Sequence, residues 1–411
     1  MKRYLSFFAV LSFILFLSHG LEAACVEGMY HASSIKREGR EKVRDLKKAG
    51  ARGRGLIFPK GWPTKVYVPR DTKAIDMADK RKQQDEMKRK AELYLKKKPS
   101  ARAETILAQE PIVAEQDGFY LYETHHYRLM SQVKLSDEAA EVVGRLFECS
   151  YALSQAVAIA LPIARVEAKK SARGNKLSES KKIDKLEGRI YKSKAAYVAI
   201  GAPETTAGVF RYAARVRGAS LKEEDIVTDA VHIPVESMGI SSEGEVEKGF
   251  DSHTLVHEIT HQLTVLNGLP IWANEGMSEY MGYIPYDGDV LDIKVCFANI
   301  LSYARLCSEY KRLDFPFSLE HFFLMSQQEM YAYMGQNVDT YALSAMCISY
   351  FIHLNRDGLA AYQAYMKALL EGKANREAVE HLLGDFESMA ELQEDFIEAW
   401  EKQKVSLKFG E

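Results

Sequence analysis

The chain has 411 residues, is 47% hydrophobic and 27% charged, and carries 55 Lys and Arg against 57 Asp and Glu for a net charge of −2. This composition is typical of a globular protein and excludes a disordered tail, a collagen and a multi-span membrane protein. Residues 36–102 hold 23 Lys and Arg against 9 Asp and Glu, so the remainder is acidic and a uniform nucleic-acid-binding surface is excluded.

The first 24 residues have the three parts of a secretory signal. Two basic residues precede an apolar run, Leu5 to Leu17, and small residues follow before Cys25. As a helix this run would span about 20 Å, short of the ~30 Å hydrocarbon core of a bilayer. We therefore predict a cleaved signal over residues 1–24, a secreted or periplasmic protein and no stable membrane insertion. Lipoprotein anchoring at Cys25 is not predicted, because Glu22 stands where such signals need an aliphatic residue.

Residues 25–117 are predicted to form a basic N-terminal region that is partly helical. Trp62–Val68 alternates like a strand, and Asp71–Lys98 has the pattern of a charged helix closed by Pro99. The basic runs are most simply a solvated helix face. A pro-segment, an accessory region or contact with an anionic partner are the alternatives.

The middle of the chain, residues 118–250, is predicted to form an α/β subdomain. A long helix capped by Ser136 follows two strands, and residues 167–186, which are rich in Lys, Ser and Glu, are predicted to form an exposed loop. Pro234 is predicted to place the last strand at a sheet edge. The predicted strands are Phe119–Glu123, His126–Ser131, Gly188–Tyr191, Gly208–Tyr212 and Ala230–Val235.

From residue 251 to the end the pattern is almost wholly helical, and the first of these helices contains His257-Glu258-Ile259-Thr260-His261. His257 and His261 lie one turn apart on one side of such a helix, so two imidazoles aim at one point. This arrangement suits Zn²⁺ bound to neutral imidazole nitrogens. The opposite side carries an apolar stripe that faces the core, formed by Leu255, Ile259, Leu263 and Leu266.

The next helix offers candidates for a third ligand. It opens with Trp272-Ala273-Asn274-Glu275-Gly276, and Glu279 follows Glu275 by one turn. The turn at residues 267–270 is predicted to fold this helix back alongside the first. A catalytic zinc takes three protein ligands and keeps one position open, which this pair of helices can provide.

The two motifs together resemble the gluzincin branch of the zincin metallopeptidases, which includes the thermolysin-like enzymes. In that branch one helix carries His-Glu-x-x-His and the next contributes a glutamate, commonly within Asn-Glu or Trp-x-x-Glu-Gly. Thirteen residues separate His261 from Glu275, fewer than in the best-known members. The resemblance covers about residues 120–405 and implies an α+β, zincin-like catalytic domain. In this domain a mixed β-sheet subdomain precedes a mainly helical, zinc-binding subdomain at residues 251–411.

The resemblance also implies roles for individual residues. His257, His261 and Glu275 would bind Zn²⁺, and Glu258 would act as general base toward a metal-activated water. Glu279 matches the carboxylate that orients the first histidine, and it stays open as an alternative third ligand.

Family members place a tyrosine at the start of a later helix, where its hydroxyl stabilises the oxyanion. Tyr341 matches this position, and the alternative is that it is simply a packed aromatic residue. In relatives an extended peptide docks on an edge strand, for which Ala230–Val235 is the candidate. The aminopeptidase signature Gly-x-Met-Glu-Asn is absent, so aminopeptidase action is not predicted. His232 and His253 are interpreted as structural histidines.

The sequence therefore predicts an exported zinc metallopeptidase acting on a peptide or protein substrate, with no nucleic-acid partner. One alternative is a non-catalytic exported binding protein that retains the fold, although a purely structural zinc prefers four closed protein ligands to three ligands and a base such as Glu258. A second alternative is a zinc amidase acting on cell-wall peptide or glycopeptide. The oligomeric state is left open.

Overall fold

A computed structural model describes residues 56–60, 62–67, 72–96, 100–109, 112–158, 160–163, 185–214, 226–247, 252–284, 290–310, 313–336 and 338–410. The predicted signal and residues 167–184 of the predicted loop lie outside the described residues. Of the described residues, 56% are helical and 15% are in strands, a mixture that is compatible with the predicted α+β class. Within these ranges, no helix has both the length and the apolar character needed to cross a bilayer.

The strands of the described residues are β1 (Lys65–Tyr67), β2 (Ile75–Asp76), β3 (Glu115–Gln116), β4 (Phe119–Glu123), β5 (Tyr127–Ser131), β6 (Leu186–Tyr191), β7 (Val209–Ala214), β8 (Ile226–Pro234), β9 (Val290–Asp292), β10 (Leu313–Phe315) and β11 (Leu407–Phe409). Seven of them form a mixed sheet in the order β2-β4-β5-β6-β8-β7, with β3 paired to β4. β6 is parallel to both β5 and β8, whereas β7 is antiparallel to β8. β1 pairs with β9 and β10 with β11 in two smaller sheets.

The helices of the same residues are α1 (Met77–Leu95), α2 (Ala101–Leu107), α3 (Asp137–Val157), α4 (Lys194–Ala199), α5 (His253–Thr264), α6 (Ile271–Gly282), α7 (Ile293–Tyr310), α8 (Leu319–Leu324), α9 (Gln327–Gly335), α10 (Thr340–Ser349), α11 (Gly358–Leu370), α12 (Asn375–Ala378) and α13 (Met389–Lys402). A π-helical turn, Tyr350–Leu354, continues α10. Short 3₁₀ turns lie at Val235–Met238, Val265–Asn267 and Val379–Leu383.

The sequence patterns predicted the strands of the middle region and several of the helices. All five predicted strands of the middle region are present, as β4 to β8. Ser136 caps α3 by accepting a hydrogen bond from the Ala139 N–H, as predicted. The predicted charged helix is α1, which begins six residues later than Asp71.

The predicted edge strand is wrong. Residues 230–234 of this segment fall in β8, which lies between β6 and β7, so among the described strands β7 and not β8 forms this edge of the sheet. Pro234 is tolerated there because it is the last residue of β8 and lies beyond His232, which pairs with the first residue of β7. Its missing N–H therefore removes no bond to the edge strand.

Close packing brings the helices of the second half together. The apolar stripe of α5 is buried as predicted, and the helix packs against α3, α6 and the β7–β8 side of the sheet. Gly276 lets α6 approach α10, because a Cβ at this position would lie 2.6 Å from the carbonyl oxygen of Ser344. The start of α10, with Tyr341, is thereby held near α5.

Residues 56–60 and 62–67 pack into the helical part of the molecule. Trp62 is 4% exposed and lies edge-on to the ring of Tyr280, with ring centroids 6.0 Å apart. The backbone N–H of Ile57 donates to the carbonyl oxygen of His353, and its own carbonyl oxygen lies 3.1 Å from Nδ1 of His353. These contacts bury a histidine behind α6.

Candidate metal centre

A tight turn places α5 and α6 side by side. The last turn before it is the 3₁₀ segment Val265–Asn267, after which Gly268 has φ +59°, a left-handed conformation that glycine adopts without strain. Pro270 then precedes α6 as its N-cap residue. The predicted helical hairpin is confirmed, and its inner surface carries the candidate ligands.

Three side chains of the hairpin converge on one point. Nε2 of His257 lies 3.0 Å from Nε2 of His261, and Oε2 of Glu275 lies 3.2 Å from the first nitrogen and 3.4 Å from the second. All three side chains are at most 11% exposed. In the described part of the chain, these three residues form the group that could hold a metal ion.

The separations have the size of a cation site. An ion that bonds its ligands at ~2.0–2.1 Å with tetrahedral angles separates neighbouring ligand atoms by about 3.3 Å. The measured edges of 3.0, 3.2 and 3.4 Å bracket this length. Three donor atoms occupy one face of such a tetrahedron, which leaves the fourth corner for water or substrate.

The other nitrogen of each imidazole faces a residue of α6. Nδ1 of His257 lies 3.2 Å from Oε1 of Glu279, and Nδ1 of His261 lies 3.1 Å from Oγ of Ser278. These neighbours favour the tautomer that leaves Nε2 free to bind a metal. Glu279 thus lies on the opposite side of the His257 ring from Glu275, in the position of an orienting carboxylate rather than that of a third ligand.

Charge coupling within the cluster is strong. Burial by itself would lower the pKa of His257, but the adjacent carboxylates of Glu275 and Glu279 outweigh it and raise this pKa to about 10. Burial would raise the pKa of Glu275, but the two imidazoles lower it to about 2. The carboxylates of the cluster therefore favour a positive charge beside them. Protons on the imidazoles can supply this charge, and so can a bound dication.

Glu258 lies beside the cluster and is held by the sheet. Its Oε2 accepts a hydrogen bond of 2.8 Å from the backbone N–H of Phe210 in the edge strand β7. Burial raises the pKa of the Glu258 carboxyl, although the two histidines oppose the shift. A raised pKa brings a carboxylate closer to the value that suits a general base at neutral pH.

Tyr341 is the second residue of α10, at the helix start where the resemblance places it. Its ring is nearly parallel to that of His257, with centroids 6.1 Å apart. Burial, reinforced by Glu275, raises the pKa of its hydroxyl well above the usual value, so the group remains a hydrogen-bond donor. Asp339 fixes the helix start by accepting from the Ala342 N–H and from the Tyr303 hydroxyl.

The structure adds site residues that the sequence reasoning missed. Tyr331 of α9 lies by the cluster: burial and the nearby Glu275 raise its pKa, and its hydroxyl accepts a hydrogen bond from Nε2 of Gln327. No local pattern signals Tyr331, since α9 lies more than 50 residues beyond Glu275 in the chain. His253, by contrast, precedes His257 by one turn, a spacing that places it on the face of the ligands without showing what it contacts.

Comparison of the chain with protein-family models, with curated proteins and with solved structures found no match in any of the three. The three cysteines whose side chains are described in the structure are buried thiols outside the cluster, namely Cys149, Cys296 and Cys347. The case for a function therefore rests on the geometry of the hairpin and its surroundings.

Proposed function

We propose that the protein is a zinc-dependent hydrolase of peptide bonds, built on a zincin-like pair of helices. The observation that carries the proposal is the convergence of Nε2 of His257, Nε2 of His261 and Oε2 of Glu275 within 3.4 Å of one another. Two imidazoles and one carboxylate with an open fourth position are the ligand set of a catalytic zinc. Zinc in this position would polarise a carbonyl group and activate water at neutral pH.

Glu258 is the proposed general base. It follows His257 in the chain, and its carboxylate is fixed by the Phe210 N–H and not by a contact with a proposed metal ligand. In this role it takes a proton from the attacking water and delivers it to the leaving amine. A site that served only to hold zinc would have no use for this carboxylate.

Tyr341 is the proposed oxyanion stabiliser. Its protonated hydroxyl belongs to a ring stacked beside His257, and a single donor of this kind contributes about 2.7–4 kcal/mol to the transition state. β7, the outermost described strand on this side of the sheet, is the proposed docking strand for an extended substrate, because the backbone N–H of its Phe210 donates to Glu258. This strand replaces the one that the sequence favoured.

The test uses the purified full chain loaded with zinc and assayed on a mixed peptide library. Glu258→Gln is expected to retain zinc and lose about 10²–10⁴-fold in rate, since it keeps the shape but not the base. Glu141→Gln, the same change on an exposed face of α3, is the matched control and is expected to cleave normally. Equal cleavage by the Glu258→Gln and unchanged proteins would contradict the proposal.

The two other functions give different results in the same experiment. A binding protein would hold zinc and cleave no peptide at all. A cell-wall amidase would leave the library intact and release fragments from cell-wall peptide or glycopeptide, with the same loss on Glu258→Gln.

A further inference from the structure

A third histidine, His253, contacts Glu279, which in turn contacts His257 of the proposed metal site. Oε2 of Glu279 lies 3.2 Å from Nε2 of His253, while its Oε1 lies 3.2 Å from Nδ1 of His257. His253, His257 and His261 follow one another at four-residue steps on one face of α5. The two oxygens of one carboxylate are therefore shared between a ligand and a histidine that is not a ligand.

The ring of His253 is fixed on its other sides. It meets the ring of Tyr283 edge-on, with centroids 4.8 Å apart, and its side chain is 9% exposed. Gly282 lies against it so closely that a Cβ there would be 2.9 Å from Cδ2 of the imidazole. Glycine at the end of α6 thus leaves the space that the ring occupies.

We propose that His253 is a positioning residue for the metal centre. It holds Oε2 of Glu279, so that Oε1 of the same carboxylate stays beside Nδ1 of His257. The proposal rests on the zinc site proposed above. Because an imidazole nitrogen lies 3.2 Å from each of its two oxygens, Glu279 cannot rotate away from His257 without losing one of these contacts. The tautomer of His257 that binds metal through Nε2 is then fixed by a chain of contacts, His253 to Glu279 to His257.

Packing alone would not require an imidazole. A phenylalanine at position 253 retains a ring against Tyr283 and Gly282, but it offers nothing to Oε2 of Glu279. A glutamine offers an N–H group on a flexible side chain. These two substitutions therefore separate the filling of space from the holding of the carboxylate.

The experiment measures zinc affinity of the full chain by competition with a chromogenic chelator. His253→Phe is expected to weaken zinc binding about 10-fold, the lower end of the roughly 10–100-fold range for outer partners of metal ligands. His253→Gln is expected to bind close to the unchanged protein. His232→Phe is the matched control, since His232 is equally buried at 8% and stacks on Tyr191 away from the ligands.

A double substitution tests whether His253 acts through Glu279. If it does, His253→Phe combined with Glu279→Gln loses no more affinity than Glu279→Gln alone. Unchanged zinc affinity in His253→Phe, or losses that multiply in the double variant, would overturn the proposal. If the phenylalanine variant fails to fold, His253→Asn, which is too short to reach Glu279, takes its place with the same outcomes.

The failure of this proposal is distinguishable from the failure of the zinc site. An unchanged protein that binds zinc, together with a His253→Phe variant of equal affinity, overturns only the role of His253. An unchanged protein that binds no zinc overturns both.

Discussion

The two sides of α6 each bury a histidine, and the two histidines have opposite surroundings. On one side, Glu275 and Glu279 face His257 and raise its pKa to about 10. On the other side, Tyr280 faces His353, whose pKa burial lowers to about 4. Two adjacent residues of α6 thus face different surroundings. Glu279 contacts the charged cluster, and Tyr280 contacts a neutral cage around His353.

The neutral cage is closed by its own partners. Nε2 of His353 lies 2.9 Å from the Tyr280 hydroxyl, and its Nδ1 lies 3.1 Å from the carbonyl oxygen of Ile57. The rings of Phe58, Trp62 and Phe297 surround the imidazole. Both nitrogens are used by neutral groups, so nothing is left to bind a cation. Burial of a histidine therefore does not define a metal site; converging lone pairs and nearby carboxylates do.

The largest change in the free energy of unfolding is predicted for the neutral side of α6. Trp62→Ala removes a nearly fully buried indole next to His353 and should lower the free energy of unfolding by about 3–5 kcal/mol. Zinc affinity of the folded protein should stay unchanged, because the cage and the cluster lie on opposite sides of α6. Chemical denaturation and chelator competition measure the two quantities, with Trp62→Phe as the milder control. Loss of zinc affinity in folded Trp62→Ala would show that the two sides are coupled.

On the charged side, Tyr341→Phe should reduce kcat by about 10²–10³-fold, or roughly 2.7–4 kcal/mol, because the oxyanion loses a donor. Zinc affinity should hold, since the ring beside His257 is retained. Steady-state kinetics on a cleaved peptide measure the loss. A matched control is Tyr365→Phe, which removes a buried hydroxyl that donates to Oδ1 of Asn375 outside the cluster. A kcat within twofold of the unchanged protein would mean that Tyr341 is only a packed aromatic residue.

Acid should act on the cage in a predictable direction. The folded pKa of His353 is about 4 against 6.5 for the exposed group, so between these values the unfolded chain binds the proton and the folded chain does not. The contribution of His353 to stability is complete above pH 6.5 and is lost as the pH falls toward 4, by about 3 kcal/mol.

The variant His353→Gln isolates this contribution. Its amide can keep a donor for Ile57 and an acceptor for Tyr280, but it does not titrate. Denaturation at pH 7 and at pH 4 should show a smaller loss on acidification than in the unchanged protein. His232, whose pKa burial lowers to about 3, is present in both proteins and cancels from the comparison. Equal losses in the two proteins would contradict the assignment.

The two carboxylates of the charged side should differ in their contribution to zinc affinity. Glu279→Gln should weaken zinc binding by about 10–100-fold, as expected for a partner of a ligand. Glu275→Gln should weaken it further than this range, as expected for a ligand. Chelator competition measures both, and the reverse order would make Glu279 the third ligand.

Local periodicity predicted the parts of the site that lie within one helix or one turn. His257 and His261 share a face because they are four residues apart, and Gly268 with Pro270 reverses the chain so that Glu275 returns to them. The same spacing contained His253, but its role depends on Glu279 of the neighbouring helix. Sequence could therefore not separate it from an ordinary buried histidine.

Long-range contacts account for what the sequence did not predict. Tyr331 and Tyr341 meet through the packing of α9 and α10, and Ile57 reaches His353 across almost 300 residues. The edge of the sheet was assigned to β8 from Pro234, yet strand order depends on the return of β8 to the position between β6 and β7. A single proline restricts its own hydrogen bonds and says little about which strand lies outside it.

Zinc K-edge X-ray absorption on the purified, zinc-loaded chain tests whether His257, His261 and Glu275 bind the ion. We expect one zinc per chain with nitrogen and oxygen ligands at about 2.0–2.1 Å, two imidazoles among them, and loss of this signal in His261→Ala. No bound zinc, or a sulfur shell at about 2.3 Å from the cysteines, would contradict it.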